Sequence, residues 1–77
     1  MKKGATLKYL VVLERGEHSF GAYVPDLPGC VAVGETADEA LKLIKEAIEL
    51  HLEAMQKDGL RIPQPVSSIQ YVDVAVA

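Results

Sequence analysis

A chain of 77 residues with a formal net charge of -3 has room for one core and one simple architecture, since a domain of this size buries only about 60% of its unfolded surface. At 49% hydrophobic and 25% charged residues, the composition excludes a disordered or low-complexity chain. Basic residues are scattered rather than gathered into a stripe, and charges break every apolar run well short of the roughly 20 residues of a membrane span, so neither nucleic acid nor bilayer is the expected partner. The start, Met1-Lys2-Lys3-Gly4-Ala5, is not followed by the apolar stretch of a secretory signal, and cytoplasm is the expected location. A single cysteine, Cys30, forms no internal disulfide and agrees with a reducing compartment.

In chain order, Leu7 to Leu13 is the first apolar run, and its alternation reads as a strand with both faces partly apolar. The polar stretch Arg15-Gly16-Glu17-His18 leads into a second strand, Ser19 to Val24, and two strands so close in sequence form a hairpin. Pro25-Asp26-Leu27-Pro28-Gly29 interrupts pairing, because proline lacks the amide donor and the Pro-Gly step favours a tight turn. A short third strand then runs from Cys30 to Val33.

Thr36-Ala37-Asp38-Glu39 is a capping box, in which the Thr36 hydroxyl accepts from the Glu39 amide while the Glu39 carboxylate reaches back to the Thr36 amide. Beyond it Leu41, Ile44, Ile48, Leu52 and Met55 recur at helical spacing and define one apolar face. Asp38 with Lys42, Lys45 with Glu49 and Glu53 with Lys57 stand four apart on the opposite side as candidate ion pairs. Gly59 is placed for a left-handed cap. After Pro63 and Pro65, Ile69 to Val76 is expected to form the last strand, with Val72, Val74 and Val76 on one face.

The expected fold is therefore α+β, a two-layer β-β-β-α-β domain spanning residues 1–77 without a separate DNA-binding domain. Its meander would be joined by the fourth strand through a helical crossover, with the helix packed on one face of the sheet. Tyr9, Leu10, Val11, Val12, Tyr23, Ile69, Tyr71 and Val72 cannot all point toward one helix, so an apolar second face calls for a partner, a homodimer or higher homo-oligomer among the choices.

Candidate chemistry is sparse. His18 and His51 have no further ligand at zinc spacing, and no metal or cofactor is expected. Gly29 and Gly34 form no phosphate-cradling motif and read as turn residues. Metal-dependent phosphodiester cleavage needs several carboxylates converging from the central strands. The strands supply only Glu14 and Asp73, which argues against an enzyme.

The run from Gly21 through Pro25-Asp26-Leu27-Pro28-Gly29-Cys30 to Gly34-Glu35-Thr36 resembles the signature of the HicB-like antitoxins. The helix from Asp38 to Leu52 and the later Ile62-Pro63-Gln64-Pro65 are similar to the same family, so the likeness runs from about Leu7 to Val74. It implies a truncated ribonuclease-H-like fold that binds and masks HicA, a small ribonuclease toxin, with inhibition and not catalysis as the activity. Full-length members of that family usually carry a C-terminal DNA-binding segment, a pattern from which this sequence departs. On this reading the toxin-binding residues are Phe20, Tyr23, Pro25, Asp26, Leu27, Pro28, Gly29 and Cys30, centred on a proline-braced turn that loses little entropy on docking. Asp26 also has an ordinary structural use in holding a turn, and Cys30 one as a small buried hydrophobe. The alternative to an antitoxin is a regulatory or structural homo-oligomer without a toxin.

Overall fold

The computed structural model describes residues 6–77, and the reading of Met1 to Ala5 lies outside them. Four elements follow in order: β1 (Val12–Arg15), β2 (Phe20–Tyr23), β3 (Val31–Gly34) and α1 (Ala37–Lys57). The strands form an antiparallel meander in the order β1-β2-β3, as the short connections dictate. Leu13 stands opposite Ala22 and Ala22 opposite Ala32. Opposed residues share a face, so this row looks toward α1, as Tyr9 and Val11 do further back along the chain. Val12, Tyr23, Val31, Gly21 and Val33 alternate with it and look away.

One core lies between sheet and helix. Ala22 and Val24 from β2 and its end, Leu27 and Cys30 from the turn, and Ala40 and Ile44 from α1 are buried. Tyr9, Val11, Phe20, Ala32, Ala47, Ile48 and Leu52 pack around them. Each fully buried aliphatic side chain contributes about 1.5–3 kcal/mol relative to an exposed one. Leu27 is fully enclosed although it sits in a turn, so the turn is part of the hydrophobic core. α1 packs mainly on β3 and β2. Gly34 permits that close approach, because a Cβ there would lie 2.6 Å from the Ala40 nitrogen.

The helix begins and ends where its sequence directs. Thr36 Oγ1 accepts from the Glu39 amide at 3.0 Å, supplying one of the acceptors that the first turn lacks. The Glu39 carboxylate accepts from the Glu35 amide at 2.6 Å, one residue earlier than the expected Thr36 partner. At the other end Gly59 takes φ 74°, the Gly59 amide donates to Gln56 and the Leu60 amide donates to Met55. This pair of bonds is the Schellman arrangement. Among the described residues the one contact at ion-pair distance is His18 Nε2 with the Glu17 carboxylate at 3.6 Å, both highly exposed. The three helix pairs expected at four-residue spacing are not closed, since exposed lysine and carboxylate chains gain little from being fixed together.

Two expectations are corrected. Residues 6–11 lie outside the sheet, because the β1–β2 ladder ends at Val12 and Tyr23 and Pro25 removes the next donor on β2. The expected fourth strand, Ile69 to Val76, pairs with nothing among the described residues. The Tyr9 hydroxyl donates to the Pro63 carbonyl, and the Asp26 carboxylate accepts from the Val66 and Ser67 amides. These contacts lead the chain from the side of β1 across to the β2–β3 turn, away from the free edge that a fourth strand would have joined. Beyond Ser67 every residue is exposed. The Cα radius of gyration is 15.1 Å, against about 11.5 Å for a compact chain of this length.

Candidate functional site: a proline-braced turn beside an uncovered sheet face

The connection from β2 to β3 is two successive β-turns. The Leu27 amide donates to the Val24 carbonyl and the Cys30 amide to the Leu27 carbonyl, each at 3.0 Å, while the Val24 amide closes the base by donating to Cys30 at 3.2 Å. Pro25 and Pro28 each occupy the second position of their turn, where a fixed φ near −65° is already correct. Gly29 follows Pro28 with φ 85°, the left-handed conformation that the third position of a type II turn requires. Every backbone feature of this loop is thus set by its own residues.

Of the eight residues expected to bind a toxin, seven divide into two groups and Asp26 stands apart. Leu27 and Cys30 are buried beneath the turn, and Phe20, at the far end of β2, is half-buried against the core. Burial raises the Cys30 thiol pKa, which keeps it in the unreactive protonated form. Tyr23, Pro25, Pro28 and Gly29 are exposed, and beside them Val31 and Val33 stand 63% and 64% exposed on the sheet face opposite the helix. The two valines were not among the expected site residues, although strict alternation with Ala32 carries the signal.

Asp26 is engaged within the chain. One carboxylate oxygen accepts from the Val66 and Ser67 amides at 3.0 Å each, and the other accepts from the Ser67 hydroxyl at 2.8 Å. The Ser67 amide is the main cause that holds its carboxyl below the ordinary 3.8; desolvation, next in size, opposes it, and the Ser67 hydroxyl and Val66 amide add smaller lowering effects. Tyr9 is shifted upward, first by desolvation and then by the negative charge of Asp26. The expected role of Asp26 in holding its own turn is corrected: its carboxylate bonds Val66 and Ser67, some forty residues away, and no amide of the turn itself.

A second concavity lies on the other side of the molecule, between α1 and the segment leading into β1. It is a groove of about 760 Å³ whose lining includes Tyr9, Val11, Leu41, Ile44, Ile48 and Leu52. Leu41, expected on the buried stripe of the helix, stays 43% exposed because it faces this groove. Among the described residues no group of three His, Cys, Asp or Glu side chains is placed to hold a metal ion, and no helix is long and apolar enough to cross a membrane.

Comparison with known proteins places this arrangement in a family. Similar chains include a UPF0150 protein of Helicobacter pylori, 42% identical over 86% of this chain and 93% of its own length, and one of Thermoplasma acidophilum, 41% identical over 75% and 86%. A 14.9 kDa protein from the rep-hol intergenic region of Haemophilus phage HP1 is 35% identical over 84% of this chain, which spans only 49% of that longer relative. No solved structure matches. The family model described as the HicB-like antitoxin of bacterial toxin-antitoxin systems matches residues 9–75, a span that contains the whole sheet, the double turn, the helix and most of the segment after it, and the chain belongs to that family.

Proposed function

We propose that the domain neutralises a small HicA-type ribonuclease toxin by covering it, using the uncovered sheet face and the exposed side of the double turn. The observation that carries this reading is the pairing of family membership with a rigid, apolar strip, formed by Tyr23, Val31 and Val33 beside Pro25 and Pro28. A pre-formed strip of this kind loses little conformational entropy when it docks, and exposed valines and tyrosine are the residues such an interface desolvates. Phe20, Leu27 and Cys30 support it from the core. The net charge of -3 steers the protein toward the basic surface with which a ribonuclease holds phosphate. Covering that surface requires no catalytic group and no cofactor from this chain.

The test is titration of the toxin's ribonuclease activity. Val33→Glu places a charge on the strip without entering the core and should weaken inhibition about tenfold or more, a loss near 1.4 kcal/mol. Lys42→Ala, on an exposed part of the helix, should leave inhibition unchanged. Full inhibition by a folded Val33→Glu protein would move the toxin contacts off this face.

A further inference from the structure

The segment after Ser67 and the groove beside α1 are complementary features that the single chain leaves apart. Ile69, Tyr71, Val72, Val74 and Val76 lie between 61% and 94% exposed, an apolar density that a soluble chain rarely leaves in water without a partner. Their alternation puts Val72, Val74 and Val76 on one side, the pattern of a strand with a buried face. Eight extended residues reach about 26 Å. The free edge that begins at residues 6–11 and continues into β1 is about as long, and α1 covers about 31 Å alongside it. Along that edge the backbone lacks a neighbour on one side, the liability that proteins usually cover. The groove between the edge and α1 is lined by Tyr9, Val11, Leu41, Ile44, Ile48 and Leu52, as an inward-facing row of valines requires.

The chain's own arm is directed elsewhere. Ile62 lines the groove and Tyr9 holds Pro63 beside it, but Asp26 then holds Val66 and Ser67, so the arm beyond Ser67 departs from the β2–β3 turn. Pro63 and Pro65 stiffen the connection and oppose a sharp reversal. We propose that Ile69–Val76 is an exchange arm, and that in a two-fold dimer the arm of each copy adds as a fourth strand to the free β1 edge of the other, its three valines seated in that copy's helix groove. A second copy fits this role because it carries both halves of the contact, so one two-fold axis satisfies two edges and two arms and leaves no open end. Charge agrees in sign: Lys8 and Lys45, with Glu49, border the groove, and the arm brings Asp73. Arm exchange is independent of toxin masking, which uses the opposite face of the sheet.

The experiment uses the 77-residue chain. Sedimentation at about 100 µM, a concentration that populates even a micromolar dimer, should show a dimer. A sample mixed from two isotope labellings should give nuclear Overhauser contacts between Val72 or Val74 methyls of one label and Ile48 or Leu52 methyls of the other. The double variant Val72→Asp/Val74→Asp should dissociate at least about tenfold more readily, with its helical circular dichroism intact because the exposed arm packs on no core residue of its own chain. A monomer at that concentration overturns the proposal and leaves the arm for a different protein such as the toxin. Contacts found only within one label overturn it by showing an arm folded on its own chain, and a dimer that the double variant does not weaken overturns it by showing association through another surface.

Discussion

Replacing Gly34 by alanine tests whether the close approach of β3 to the helix is the constraint the structure makes it. The added methyl would lie 2.6 Å from the Ala40 nitrogen and 3.0 Å from both the Ala40 Cα and the Glu39 carbonyl carbon. All three are backbone atoms, so no rotamer change relieves the clash. Reaching ordinary contact at 3.4 Å requires the start of α1 to move from β3 by about 0.8 Å, and forced expansion of a packed interior costs about 1–3 kcal/mol. The same displacement loosens Ala40 and Ile44, which are core residues. A domain of this length has a stability of about 4–12 kcal/mol. The melting temperature should fall by about 4–8 °C for each kcal/mol lost. Gly21→Ala is the matched control. It is also a strand glycine, but nothing lies within 4 Å of the point where its added methyl would stand and it faces away from the helix, so its melting temperature should stay the same or rise slightly. Both variants are followed by circular dichroism at equal protein concentration, since self-association makes melting temperatures concentration-dependent. If Gly34→Ala melts within about 2 °C of the parent, the helix is free to shift and the glycine is not a packing requirement.

Two further perturbations probe the turn and the segment it holds. Asp26 has a folded pKa below its ordinary 3.8, so its grip on the Val66 and Ser67 amides is complete above that value and is lost as pH falls through the lowered one. Amide chemical shifts of Val66 and Ser67 should follow that acid titration, and Asp26→Asn should move both shifts at neutral pH; unchanged shifts in the variant would show that the carboxylate does not hold the segment. Leu27→Ala should cost about 2–5 kcal/mol in urea unfolding, because it empties a fully enclosed site, and a loss well under about 1 kcal/mol would remove Leu27 from the core.

The local devices were legible before any fold was known, because each is a short-range backbone requirement met by residues within a few positions of one another. The Thr36–Glu39 cap, the Gly59 stop and the Pro28-Gly29 turn are of this kind, and so is the three-stranded meander that the short connections force. The Pro-Asp-Leu-Pro-Gly-Cys run carried the family resemblance that the match over residues 9–75 bears out. What the tertiary structure decided are the relations between distant positions. The apolar alternation of Ile69 to Val76 specifies a strand but not the edge it joins, and the bonds from Asp26 to Val66 and Ser67 send it away from its own sheet. Leu27 and Pro28 are neighbours in one turn, yet one is enclosed and the other exposed, a division set by where Ala40 and Ile44 pack. Hydrophobic attraction has no direction, so pattern alone names the surfaces that must be covered. Which surface covers which is fixed only when strands, turn and helix compete for the same small core.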